Sequence, residues 1–195
     1  MFSIQRIIGG LCIFTGAQFL VTMLYLESIV PGFDRTINYI SDLGVGSTAL
    51  AFNSSIFFTG VLAIISAILL FYYFKKTAFS IVLILTGVSM MLVGIFPENI
   101  YPTHLVVSFT TFLFGGIVAI ISSSKSKKYW SQLFVLLGII SLVVLALDTT
   151  SFFTSWEVIN LGDGIVERLI VYPFIIWAIL FGVYLFVEKK SFDAF

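Results

Sequence analysis

The sequence has very few of the residues that build disulfides and transition-metal centres. It contains one cysteine, Cys12, and one histidine, His104. A lone cysteine cannot form an internal disulfide, and this pair cannot supply a His/Cys zinc site or bis-histidine haem ligation. Carboxylates could still hold a hard cation. The sequence therefore predicts no cofactor and no metal site.

Charge is also scarce. Charged residues make up 10% of the chain and hydrophobic residues 59%, with a mean hydropathy of +1.13. A soluble domain has about 25% charged residues, so this chain could not cover a soluble core with polar surface. The formal net charge is zero, which gives nucleic acid no basic footprint. Membrane lipids are the expected surroundings, and nucleic acid is not an expected partner.

Six apolar stretches approach or exceed the roughly 20 residues that cross a bilayer as a helix. They cover approximately residues 7–26, 49–74, 79–96, 104–122, 130–148 and 164–187. No linker divides the chain, so the sequence predicts an all-α bundle of six transmembrane helices in one integral-membrane domain, 1–195. Pro173 is expected to kink the last helix.

The basic residues alternate between the connections. Eight of the ten Lys and Arg residues lie on one side, at Arg6, Lys75, Lys76, Lys125, Lys127, Lys128, Lys189 and Lys190. An excess of Lys and Arg marks the cytoplasmic side of a membrane. We therefore expect a multi-pass protein of the cell membrane with both termini in the cytoplasm.

The first outer loop carries its own helical pattern. Phe33, Ile37 and Ile40 recur at helical spacing, Asp34 suits an N-cap and Gly44 a helix stop. A short helix lying at the membrane surface is the predicted structure of this loop.

Polar residues concentrate at the outer ends of the spans. Eight of the ten acidic residues lie there, Glu157 among them, and Asp163 is expected to cap the N-terminus of the sixth helix. Polar residues near a span tend to face a bundle interior or a cavity. The candidates for an outward-facing pocket are Asp42, Asn53, Glu98, His104, Asp148, Glu167 and Arg168. Glu98 and His104 are the candidates for acid–base catalysis.

Arg168 needs a partner because it lies one or two turns into a span. Its neighbour Glu167 is poorly placed, since adjacent residues do not face each other on a helix. We expect a carboxylate from another helix to pair with it. The candidate partners are Asp42, Glu98 and Asp148.

No complete catalytic motif appears. A Ser-His-Asp hydrolase would need Ser41, Ser47, Ser54 or Ser108 as nucleophile, but the sequence has no Gly-x-Ser-x-Gly elbow. Phosphate-binding and dinucleotide-binding loops are absent as well. The sequence leaves open whether the protein is an enzyme.

Several short motifs together resemble a known family. They are Phe96-Pro97-Glu98 followed by His104, Asn53 in the second span, and the run from Gly162 to Arg168 leading to Tyr172, Pro173 and Trp177. This set resembles archaeal members of a six-helix membrane family, the domain of unknown function 998. The resemblance implies six helices and an outer polar site, and it implies no reaction.

Three functions fit these observations. The first is binding of a lipid headgroup or another small polar molecule in an outward-facing polar pocket, either with or without a reaction on the bound molecule. The second is a non-enzymatic subunit or scaffold in a complex with other membrane proteins, whose outer ion pairs only hold its loops. The third is a small-solute transporter, which is disfavoured because charges are missing from the middle of the spans.

The topology can be tested by labelling. In a variant that lacks Cys12, a cysteine introduced by Ser126→Cys should react with a membrane-impermeant thiol reagent only after the cytoplasmic face is exposed. Labelling from the outside of intact cells would overturn the expected orientation.

Overall fold

Six long helices form the architecture in the computed structural model, which describes residues 4–154 and 161–188. Their bounds are α1 Ile4–Ile29, α2 Ala49–Phe74, α3 Thr77–Ile95, α4 Thr103–Ser122, α5 Lys128–Thr154 and α6 Asp163–Val187. All six are long and apolar enough to cross a membrane. The predicted all-α bundle is confirmed, with no strand in the described residues. Glu157, Lys189 and Lys190 lie outside those residues.

Several helices run beyond the apolar stretches that predicted them. α1 continues to Ile29, so Glu27 and Ser28 are helical, and α5 continues to Thr154. Hydropathy marks the part of a helix that suits lipid, whereas backbone hydrogen bonding sets the length of the helix. As a result Glu27 belongs to α1 and not to the loop that follows.

The helices form a closed ring. Each helix packs on its neighbours in the sequence, α6 returns to pack on α1, and α4 also reaches α6 across the interior. A tight connection of two residues, Lys75 and Lys76, joins α2 to α3, and Lys75 adopts a left-handed conformation with φ 53°. We call the end of the bundle that holds this connection the basic end, and the end that holds residues 30–48 and 96–102 the acidic end.

Glycines allow three of the helix pairs to cross closely. A Cβ on Gly60 or on Gly87 would lie less than 3 Å from the carbonyl oxygen of the other, where α2 crosses α3. Gly9 and Gly182 show the same reciprocal contact between α1 and α6, and Gly138 approaches the Gly116 carbonyl between α4 and α5. Small residues at such crossings let backbones approach in lipid, where packing drives helix association.

The first loop consists of a turn followed by two short 3-10 helices. Residues 34–38 form a turn in which the Asp34 carboxylate accepts from the Thr36 N–H at 2.8 Å, and Ser41–Gly44 and Gly46–Thr48 form short 3-10 helices. The predicted short helix between Asp34 and Gly44 forms only as the 3-10 helix Ser41–Gly44, because α6 side chains take backbone groups that residues 35–40 would use in a helix. Ile40 and Leu43 are 2% and 1% exposed, so the loop packs into the end of the bundle.

Gly60→Ala should destabilise the protein by about 1–3 kcal/mol, the usual cost of overpacking, because the new Cβ meets the Gly87 carbonyl. Gly10→Ala is the matched control, since a Cβ there has no atom within 4 Å. Alanine otherwise favours a helix over glycine by about 1 kcal/mol. Unfolding in detergent should therefore show opposite signs for the two variants, and equal effects would contradict the crossing.

Candidate functional site

A buried ion pair joins the first and last helices at the acidic end. Arg168 Nη2 lies 2.5 Å from Glu27 Oε1, and the two side chains are 8% and 1% exposed. Arg35 Nε lies 2.7 Å from the other oxygen of Glu27 and is largely exposed. The prediction that Arg168 pairs with a carboxylate from another helix is confirmed. The partner is Glu27, so the three predicted partners, Asp42, Glu98 and Asp148, were wrong.

Arg168 also holds the first loop through its backbone. Its Nη1 donates to the carbonyl oxygens of Arg35 at 3.0 Å and Asn38 at 2.9 Å, and to Gly164 at 2.8 Å. The Phe33 ring lies 5.7 Å from the guanidinium carbon, within cation–π range. One side chain thus satisfies three carbonyls and neutralises one buried carboxylate.

Two glycines let the loop come this close to α6. A Cβ on Gly164 would lie less than 3 Å from the carbonyls of Arg35 and Asn38, and one on Gly162 would meet the carbonyl of Thr36. Gly162 also has φ 87°, which favours glycine. It occupies the N-cap position, and α6 begins at Asp163 without a side-chain cap. The expectation that Asp163 caps this helix was therefore wrong.

Glu167, the neighbour of Arg168 on α6, binds the same loop through the N–H groups of the loop backbone. Its Oε2 accepts from the backbone N–H of Ile40, and the N–H of Ser41 also points at this carboxylate. Glu167 lines an interior cavity together with Ser41 and Ser108. The loop backbone therefore fixes the one carboxylate that borders this cavity among the described residues.

Glu98 lies beside this contact and is half-buried. It lies beside Asp42 and Ser41, and burial followed by the neighbouring Asp42 raises the pKa of Glu98 to about 7. Asp42 also accepts from the Asn38 amide at 3.2 Å. This carboxyl is poised to hold or release a proton near neutral pH.

His104 has a defined tautomer and a serine partner. Its Nδ1 lies 2.8 Å from the Phe96 carbonyl oxygen, and its Nε2 lies 3.0 Å from Ser108 Oγ. A carbonyl only accepts, so Nδ1 carries the proton, and the Nε2 lone pair of the neutral ring accepts from the Ser108 hydroxyl. No hydrogen bond joins His104 to Glu98 within the described part of the chain.

The remaining candidates lie apart. The Asn53 amide donates to the Gly44 carbonyl at 2.9 Å and lines a separate shallow cleft. Asp148 is exposed on α5, more than one turn before the helix ends at Thr154. Asp163 lies near Tyr39, and burial together with the Asp163 carboxylate raises the pKa of the Tyr39 hydroxyl.

The seven predicted residues are thus not gathered in one cavity. Glu167 lines the interior cavity and Asn53 the shallow cleft, whereas Asp42, Glu98, His104, Asp148 and Arg168 line neither. His104 is hydrogen-bonded to Ser108, which lines the interior cavity, and Glu98 lies beside Ser41, which also lines it. The described residues contain no cluster of His, Cys, Asp and Glu that could hold a metal ion.

These features define a multi-pass, six-helix membrane protein whose first and last helices are joined by a buried ion pair, and whose first loop is held to the last helix by hydrogen bonds from the arginine of that pair. The family model described as "Protein of unknown function (DUF998)" matches residues 13–184, from within α1 to near the end of α6. The chain belongs to this family, which confirms the resemblance of its motifs. Neither the curated proteins nor the solved structures contain a match to the chain.

Arg168→Met should destabilise the protein by about 3–5 kcal/mol, because it leaves the Glu27 carboxylate buried without its partner. The double variant Glu27→Leu with Arg168→Met should recover most of that loss. Arg6→Met, at the exposed start of α1, is the matched control and should change little. Unfolding in detergent measures all three, and a double variant as unstable as Arg168→Met would contradict the account.

Proposed function

We propose that the protein binds an amphiphilic molecule, with one hydrocarbon chain inside the helix ring and a polar headgroup at the acidic end. The observation that carries this proposal is the interior cavity, which has apolar walls and one charged residue at its end. We further propose that the acidic end faces outward, as the distribution of Lys and Arg indicates.

The walls of the cavity suit a hydrocarbon chain. They are contributed by α1, α2, α3, α4 and α6, and include Phe19, Phe52, Ile56, Val93, Phe174 and Ile175. Thr15 and Thr111 also line it, but their hydroxyls donate to Leu11 and Val107 of their own helices. Along α2 the lining runs from Phe52 to Ser66, which at 1.5 Å per residue spans ~21 Å. An elongated apolar molecule matches this shape.

The end of the cavity nearest the acidic end of the bundle suits an uncharged or cationic headgroup. Glu167 presents a carboxylate there, with hydroxyls from Ser41 and Ser108 beside it. Arg168 cannot serve an anion in the cavity, because its guanidinium is turned to Glu27 and the loop carbonyls. An amine or hydroxyl can donate to these acceptors, whereas a phosphate or carboxylate would meet like charge.

Photolabelling can test the cavity and the sign of the headgroup together. Protein in phosphatidylcholine nanodiscs is irradiated with an eight-carbon alcohol that carries a diazirine, and the labelled peptides are mapped by mass spectrometry. Label should appear on residues that line the cavity. Octanol and octylamine should compete at concentrations at least about tenfold lower than octanoate, a difference of ~1.4 kcal/mol.

Ala63→Phe places a ring in the cavity and should abolish the cavity label, with Ala178→Phe as a second cavity-filling variant. Ala146→Phe is the matched control, because Ala146 is exposed on α5 and lines no part of the cavity. Label confined to the lipid-facing surface, and unchanged in both cavity-filling variants, would refute the proposal.

A further inference from the structure

We propose that Ser108 and His104 form a nucleophile–base pair that hydrolyses an ester of the amphiphile held in the cavity. This inference rests on the proposed function for its substrate class, an acyl ester with an uncharged or cationic alcohol portion. It adds a reaction and a nucleophile that binding alone does not require.

The geometry assigns each side chain a role. Ser108 Oγ lies 3.0 Å from His104 Nε2, within reach for transfer of its proton, and Ser108 lines the cavity. The Phe96 carbonyl, 2.8 Å from Nδ1, fixes the tautomer that leaves Nε2 free to act as a base. A nucleophile bonded to a base that a third group orients is the arrangement of covalent acyl transfer.

The surroundings of the pair also fit this chemistry. His104 is 8% exposed, so water does not compete for its ring, while Ser108 is only partly buried and borders the cavity. Several other hydroxyls in these helices donate to the carbonyl one turn earlier, as Thr111 does to Val107 and Thr86 to Val82. Ser108 instead contacts an imidazole on its own helix. Ser108 lies about 7.5 Å along α4 from the first residue of the helix, Thr103, near the acidic end.

The reaction balances with water as the second reactant. Ser108 Oγ forms a bond to the ester carbonyl carbon while its proton passes to His104 Nε2. The ester C–O bond breaks, and the alcohol leaves with that proton. Water then attacks the acyl-serine and gives a proton to Nε2, which returns it to Oγ as the carboxylic acid departs. Phe96 contributes only by holding the ring, so it is a positioning residue.

The test uses an alkyl fluorophosphonate on the full chain in phosphatidylcholine nanodiscs. Attack by Ser108 Oγ on phosphorus expels fluoride, and mass spectrometry should map the adduct to Ser108. Ser108→Ala should abolish the adduct, and His104→Gln should slow labelling by about a hundredfold or more, the usual contribution of a general base. Ser54→Ala, at an exposed serine of α2 that does not line the interior cavity, is the matched control and should label Ser108 at the wild-type rate.

An unlabelled Ser108 in wild-type protein, or an undiminished rate in His104→Gln, would overturn the proposal. Because the adduct is mapped on wild-type protein, the result does not depend on the folding of Ser108→Ala. If Ser108 stays unlabelled while the diazirine alcohol still marks the cavity, the reaction fails and the binding function stands. If neither reagent marks the cavity, both proposals fail.

Discussion

The buried pair of Glu27 and Arg168 is the interaction on which the acidic end of this protein depends. Removing two charges from water costs several kcal/mol each, and this cost is offset only when the remaining hydrogen-bonding groups are also satisfied. Here the loop backbone offsets part of that cost, because Arg168 Nη1 donates to the carbonyls of Arg35 and Asn38 while Nη2 donates to the carboxylate, although Nε is buried without a hydrogen bond. The ion pair and the path of the loop are therefore one structural unit.

That unit also shapes the cavity. Arg168 and Glu167 are adjacent on α6. Arg168 donates to carbonyl oxygens of the loop, and Glu167 accepts from an N–H group of the same loop. Ile40 is buried by this contact and lines the cavity together with Ser41. Displacing the loop would expose Glu167 and open the cavity at the acidic end. The loop thus serves as the wall between the interior of the ring and its surroundings.

The fold was accessible from the sequence because lipid imposes long apolar runs, and six such runs leave little choice of architecture. The site was less accessible, because it depends on contacts between distant residues. Glu27 was missed as the partner of Arg168 because the apolar run ends before it, although α1 continues through it. The loop was predicted as a helix because its local pattern does not show that α6 takes its backbone groups. Ser108 appeared only as one serine among four, since the missing elbow motif says nothing about a histidine one turn away.

The position of Trp177 makes its fluorescence sensitive to what the interior cavity contains. Its indole lines the cavity, stacks between Phe174 and Phe181 at centroid distances of 5.4 Å, and donates to Ser122 Oγ at 2.9 Å. A fixed indole that is 2% exposed has an emission energy set by the polarity of its immediate surroundings. The cavity is part of those surroundings. Trp177 therefore has a more polar environment when water fills the cavity than when hydrocarbon fills it. The protein therefore carries an intrinsic fluorophore at the position where the content of its interior changes.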